Sequence, residues 1–287
     1  MINAFTIDVE DYYQVSGFEA GVDRAVWCDF ESRVTANTHR LLDLLDDHAV
    51  RATFFILGWV AEHHRQLVTE IQRRGHEIGS HSFWHRLVYR QTPAEFREDL
   101  RRSRDLLQDL TGTAVEAYRA PSFSITQRSQ WALEILVEEG FRVDSSIVPL
   151  LHDRYGMPHA PRGPHCLQTP AGPLWEFPPT VARTAGVHLP VGGGGYFRLF
   201  PLAWTTFWLA QVQRRDQHPA MFYIHPWEVD PEQPRLSFGG RLARFRHYVH
   251  LDHTEAKLRR LLSRFHFDSL SMALAAHRAQ ARLAEAV

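Results

Sequence analysis

Gly75-His76-Glu77-Ile78-Gly79-Ser80-His81-Ser82-Phe83-Trp84-His85 reads as a short strand, His76 to Gly79, that runs out into a turn carrying two histidines four residues apart. On one helical turn such a pair projects from a single face and can hold one metal ion. Two imidazoles leave a site incomplete, so a third ligand, normally a carboxylate, must come from elsewhere in the chain. With 18 histidines present, a spacing of this kind also has a bland reading as a structural or solvent-facing pair. Its place directly after a strand favours the metal reading, because ligands of α/β folds collect at strand ends.

Working outward from that stretch, strand and helix alternate. Upstream, Val60 to Arg74 reads as a helix closed by Gly75, preceded by a buried strand, Arg51 to Leu57, and by a helix from Glu31 to His48. The first strand, Ala4 to Ile7, ends in the acids Asp8, Glu10 and Asp11, whose mutual repulsion a cation would relieve. Downstream, Thr92-Pro93-Ala94-Glu95 is a capping-box start for a helix to about Leu110. A strand from Val115 to Tyr118 then ends in Arg119-Ala120-Pro121-Ser122, and a helix from Thr126 to Glu139 leads to a strand, Phe141 to Val143, ending at Asp144. Short connections between repeated strand-helix units imply a parallel sheet, open or closed into a barrel.

From Pro149 to Gly195 that rhythm breaks into Pro- and Gly-rich sequence. Gly192 to Gly195 lacks the Lys-Ser/Thr of a phosphate-binding loop and reads either as a flexible connection or as a backbone wall for a sugar, with Tyr196 and Arg198 beside it. A helix from Pro201 to Arg214 carries Trp204, Phe207 and Trp208, which its spacing assigns to the core. The strand Ala220 to Ile224 ends in His225-Pro226-Trp227-Glu228; a basic, aromatic segment, Arg241 to Tyr248, and two helices follow.

The 287 residues, 44% hydrophobic, suffice for a large core. A formal net charge of −1 offers no basic field for nucleic acid, and no run of residues is long and apolar enough to span a bilayer. Cys28 and Cys166 form no disulfide framework or metal knuckle, and Met1 to Asp8 lacks the features of a secretory signal, so a reduced, cytoplasmic protein is expected.

Four strand ends thus supply Asp8/Glu10/Asp11, His81/His85, Arg119 and His225, the groups that metal-assisted hydrolysis requires. Their order resembles the polysaccharide deacetylases with a NodB-homology domain, carbohydrate esterase family 4. Residues 152–156, Gly192 to Arg198, Tyr223 to Glu228 and Arg244 to Tyr248 further resemble the branch associated with exosortase and exopolysaccharide gene clusters. The resemblance implies a single catalytic domain: a deformed (β/α) barrel of about seven parallel strands with a C-terminal helical extension. Residues 1–148 would form the NodB-like part, and 149–287 a branch-specific region supplying His225.

By the same resemblance Asp8 is the general base, Arg119 orients it, His225 is the general acid and Asp144 tunes that acid. His81 and His85 ligate a divalent ion, usually Zn²⁺, together with Glu10 or Asp11. Val9 separates Asp8 from the next acid, where common members have adjacent aspartates, so the third ligand is displaced. Pro121, Tyr196, Arg198 and Trp227 are expected at the substrate. The implied reaction removes N-acetyl groups from hexosamine units of a polysaccharide or its biosynthetic intermediate, with exopolysaccharide assembly machinery as a partner. The rival readings are an allantoinase-like or peptidoglycan-deacetylating C–N hydrolase on the same scaffold, and a catalytically silent glycan-binding protein.

Overall fold

Val9, Ile56 and Ile224 end strands that are buried almost throughout, as strands covered on both faces must be. The computed structural model describes residues 1–152 and 155–285; Asp153 and Arg154, part of the resemblance at 152–156, lie outside the described residues. The strands are β1 (Asn3–Val9), β2 (Thr53–Ile56), β3 (Glu77–Ser80), β4 (Ala117–Tyr118), β5 (Val143–Asp144), β6 (His165–Thr169), β7 (Gly172–Glu176), β8 (Val181–Thr184), β9 (Val187–Pro190), β10 (Met221–Ile224) and β11 (Phe267–Asp268). The helices are α1 (Val34–Asp47), α2 (Gly58–His63), α3 (Arg65–Arg73), α4 (Pro93–Thr111), α5 (Trp131–Glu138), α6 (Gly194–Leu199), α7 (Leu202–Gln211), α8 (Arg241–Tyr248), α9 (Thr254–Leu262) and α10 (Leu270–Glu285).

The main sheet runs β10-β1-β2-β3-β4-β5-β7-β6, with β11 also paired to β1. From β10 to β7 every pairing is parallel, and only β6 is antiparallel to its neighbour. The chain leaving β7 crosses to the opposite edge, where the Met221 amide donates to Thr180 Oγ1 at 2.7 Å and the Tyr223 amide to Gly192 O at 2.7 Å. This is the deformed α/β barrel expected from the alternation, with its strand C-termini gathered at one end. No helix among the described residues is long and apolar enough to cross a membrane.

Local chemistry sets α4 as its sequence implies: Thr92 and Glu95 cap its start reciprocally, and Gly112 ends it at φ 65°. Other expectations change. The single helix from Val60 to Arg74 is broken into α2 and α3 at His64, whose ring is held by Ser32 and Thr35. The stretch 149–195 contains two hairpins, β6–β7 and β8–β9, and β7 joins the main sheet. On α7, Trp204 and Trp208 are half-buried and Phe207 is exposed, so this aromatic stripe covers the core's edge and does not enter it.

The four-glycine run is neither a loose connection nor open to a sugar along its first half. Gly193 lies at φ 128°, and a Cβ there would stand 1.9 Å from Tyr223 O; one on Gly192 would meet Thr180 N at 2.7 Å. The glycines let a second backbone press against β10. Gly193→Ala should therefore cost at least about 3 kcal/mol, from overpacking and left-handed strain together. Chemical denaturation reads this directly, and an unchanged midpoint would refute the close approach.

Candidate active site

Asp8, in the last turn of pleat on β1, and Glu10, just beyond its end, are separated by the core residue Val9 and lie two positions apart in extended chain, on one side of it. Asp11 turns away. Its carboxylate accepts from Ser32 Oγ at 2.8 Å and from the amides of Arg33 and Val34, at the start of α1. Of the two expected third ligands, Asp11 is thus committed to the backbone, and Glu10 is the acid that meets the histidines.

His81 and His85 follow β3 but not on a helical turn. Ser82 and His85 adopt left-handed φ of 67° and 53°, and the loop they form has no helical hydrogen bonds. Asp99 on α4 holds it by accepting from the amides of Phe83 at 2.6 Å and Trp84 at 3.1 Å. Gly58, whose Cβ would stand 2.4 Å from the Phe83 ring, lets the loop pack on α2. The two imidazoles come to 5.3 Å between ring centroids by this route.

One ligand atom from each of Glu10, His81 and His85 lies within 4.8 Å of the others, and all three residues are buried. His81 Nδ1 is 2.8 Å from Arg119 O, which fixes the tautomer so that Nε2 carries the lone pair. Burial lowers the His81 pKa to about 4, so the ring is neutral. Glu10 Oε2 is 2.7 Å from His85 Nε2 but lacks the alignment of a hydrogen bond. Burial pushes the Glu10 carboxyl up, yet His85 and His225 outweigh it and hold the pKa at about 2. A neutral imidazole with a free lone pair, a second imidazole and an ionised, unsatisfied carboxylate fit a divalent cation.

Arg119, at the end of β4, is wholly buried and donates from Nη1 to Asp8 Oδ1 at 2.6 Å and to Thr6 Oγ1 at 2.8 Å. Its other nitrogens bond Ser145 O and Oγ, and its plane lies 4.2 Å over the Phe55 ring. Asp8 Oδ2 faces His225 Nε2 at 3.9 Å.

His225 Nδ1 sits 2.6 Å from Glu228 Oε1, and the other oxygen of Glu228 accepts from Arg198 Nε at 2.5 Å. Burial alone would depress the imidazole, but Glu228, then Glu10 and Asp8, raise its pKa to about 9. Burial likewise pushes the Glu228 carboxyl up, and Arg198 and His225 bring it below its ordinary value. The carboxylate on His225 is therefore Glu228. Asp144, expected in that role, is fully buried and accepts from Ser146 Oγ, while Glu176 faces it. Burial raises both of these carboxyls, and the contact with Asp144 raises Glu176 further.

Two residues expected at the substrate serve the scaffold instead. Arg198 is 1% exposed and, besides Glu228, donates to the carbonyls of Arg246, His247 and Val249. Trp227 is sandwiched between His225 and His247, at 5.1 and 4.1 Å between centroids, and its Nε1 is 3.3 Å from Glu10 Oε1. Pro121 is buried at the head of a 3₁₀ turn, and Tyr196 lines a small aromatic cleft with Phe123 and Tyr223. Glu228 had a local signal: with His225 and Pro226 it forms a capping box, a pattern visible as His-Pro-Trp-Glu.

Parts of the chain are similar to known proteins. Residues 19–141 match the polysaccharide deacetylase family model, and residues 145–275 match a domain of unknown function, DUF3473. Residues 19–141 thus resemble the polysaccharide deacetylases; Asp8 and Glu10 precede the matched span, and His225 falls in the second one. YheN of Bacillus subtilis (strain 168), classed with the polysaccharide deacetylases, is 35% identical over 121 residues, which is 42% of this chain and 43% of YheN. A peptidoglycan-N-acetylglucosamine deacetylase of Bacillus cereus is 35% identical over 98 residues, 34% of this chain and 36% of the relative. The chain therefore spans less than half the length of either. A Mycobacterium smegmatis structure, also classed with the polysaccharide deacetylases, superposes with a TM-score of 0.62 at 19% identity, covering 96% of this chain and 90% of the other, which establishes a shared fold.

Proposed function

We propose that this protein is a metal-dependent hydrolase that removes N-acetyl groups from N-acetylhexosamine units of a polysaccharide or its biosynthetic intermediate. The observation that carries the reading is the meeting of the Glu10/His81/His85 cluster with two dyads, Asp8–Arg119 and His225–Glu228, at the barrel's strand ends. A divalent ion on that cluster, Zn²⁺ by its two-imidazole, one-carboxylate donor set, would activate water and polarise the amide carbonyl.

The chain's own groups divide the proton work. Arg119 occupies Asp8 Oδ1 and leaves Oδ2 to take a proton from the attacking water. Within the turn at 121–123, the Phe123 amide donates to Ala120 O and the Ser124 amide to Pro121 O. Pro121 has no N–H, so the Ser122 amide is the donor we assign to the developing oxyanion. His225, held protonated by Glu228, donates from Nε2 to the departing amine, which leaves poorly without a proton. Acetate and a free amino sugar result.

The names of the B. cereus relative and others like it favour peptidoglycan as a second substrate class. The exopolysaccharide setting, its assembly machinery and a cytoplasmic site of action belong to the first reading. One assay series separates these: metal content of the purified chain, with acetate release measured on N-acetylhexosamine oligomers and on peptidoglycan fragments, and ring opening on allantoin. Chelator-reversible acetate release from the oligomers supports the proposal. A chain that purifies without metal, binds glycan and releases no acetate would instead be a binding protein.

A further inference from the structure

From Pro234 to Leu251 the chain holds four arginines, Arg235, Arg241, Arg244 and Arg246, and no acidic residue. None of the four forms an ion pair among the described residues. Set among them are three apolar side chains turned to solvent: Phe238 at 37% exposure, Leu242 at 59% and Phe245 at 54%. Leu242 and Phe245 are three apart on α8 and share a face. The last turn of α8 is anchored: His247 stacks on Trp227, Tyr248 accepts from the Leu236 amide at 2.7 Å, and Phe18 packs on both rings. The outer face is thus held rigidly on the wall of the catalytic centre, one layer from His225.

We propose that this face docks the protein on an anionic membrane surface. Exposed phenylalanine and leucine flanked by arginines is the composition of a helix lying in the headgroup layer, apolar side chains sunk among acyl chains and guanidinium groups on phosphates. A soluble polyanion would pair with the arginines but leave Phe238, Leu242 and Phe245 in water. A second copy of the chain is disfavoured too, since a two-fold contact would press four unpaired arginines against the same four. The inference does not depend on the deacetylase reading.

The test uses the whole chain and vesicles of phosphatidylcholine with or without phosphatidylglycerol, read by co-sedimentation at low and high salt. Binding is expected only to the anionic vesicles and should weaken with salt. The double variant Arg241→Glu/Arg244→Glu should lower it at least about tenfold, and Phe245→Asp or Leu242→Asp should do the same at low salt. All four side chains lie outside the core, so circular dichroism and acetate release from a soluble oligomer should match wild type. Equal binding to both vesicle types, unchanged binding by the variants, binding to soluble polyphosphate but to no vesicle, or self-association abolished by Phe245→Asp without vesicle binding would each overturn the proposal.

Discussion

Glu10→Gln is expected to empty the cation site and reduce acetate release by more than about 100-fold, whereas Asp11→Ala should leave both metal content and turnover near wild type. Substitutions one shell removed from a metal already cost 10- to 100-fold, so loss of the only carboxylate in the cluster must cost more. Glutamine keeps the shape of Glu10 and its contact with Trp227 but removes the charge that balances a dication between the two imidazoles. Asp11 faces the other way: removing it strands the amides of Tyr12, Arg33 and Val34, at a cost of about 2–3 kcal/mol in stability. Metal per chain and thermal midpoint, measured on both variants, should therefore move in opposite patterns. A metal-free Asp11→Ala beside a metal-loaded Glu10→Gln, both folded, would reverse the assignment.

That contrast marks where sequence reading stops. The strand ends were legible because each follows a run apolar enough for a strand covered on both faces, and α4 because Thr92, Pro93, Glu95 and Gly112 act through contacts no more than four residues apart. The choice between Glu10 and Asp11 was not legible, since it depends on where β1 stops and on α1, whose first amides claim Asp11 from more than twenty residues away. The same holds for the histidine pair: four-residue spacing suggested a helical turn, while the loop's shape is imposed by Asp99 from a different helix. Arg198 was misread as facing substrate because its neighbours are glycines; the carbonyls that enclose it lie 48 to 51 positions onward. Glu228 is the opposite case: its capping box with His225 is a local signature, whereas the resemblance points to Asp144, more than eighty residues upstream.

Glu228→Gln should slow acetamide hydrolysis about 10²-fold or more, approaching His225→Ala, for which loss of the general acid predicts about 10²- to 10⁴-fold. Glutamine can still hydrogen-bond His225 Nδ1, so the ring need not move; what it removes is the negative charge that keeps the buried imidazole protonated. A merely structural defect would slow every substrate alike. Loss of a proton donor should not, because an aryl acetate expels a phenolate that departs without protonation, while an amine cannot. Both variants should therefore retain aryl-acetate hydrolysis within about tenfold of wild type while losing the amide reaction, and kcat should fall with little change in KM. Arg198→Met supplies the control, since it takes the guanidinium from Glu228 and three carbonyls at once and should destabilise the fold by about 3–5 kcal/mol. If Glu228→Gln slows ester and amide equally with its fold intact, the dyad positions the site but does not supply the leaving-group proton, and the acid must be sought elsewhere.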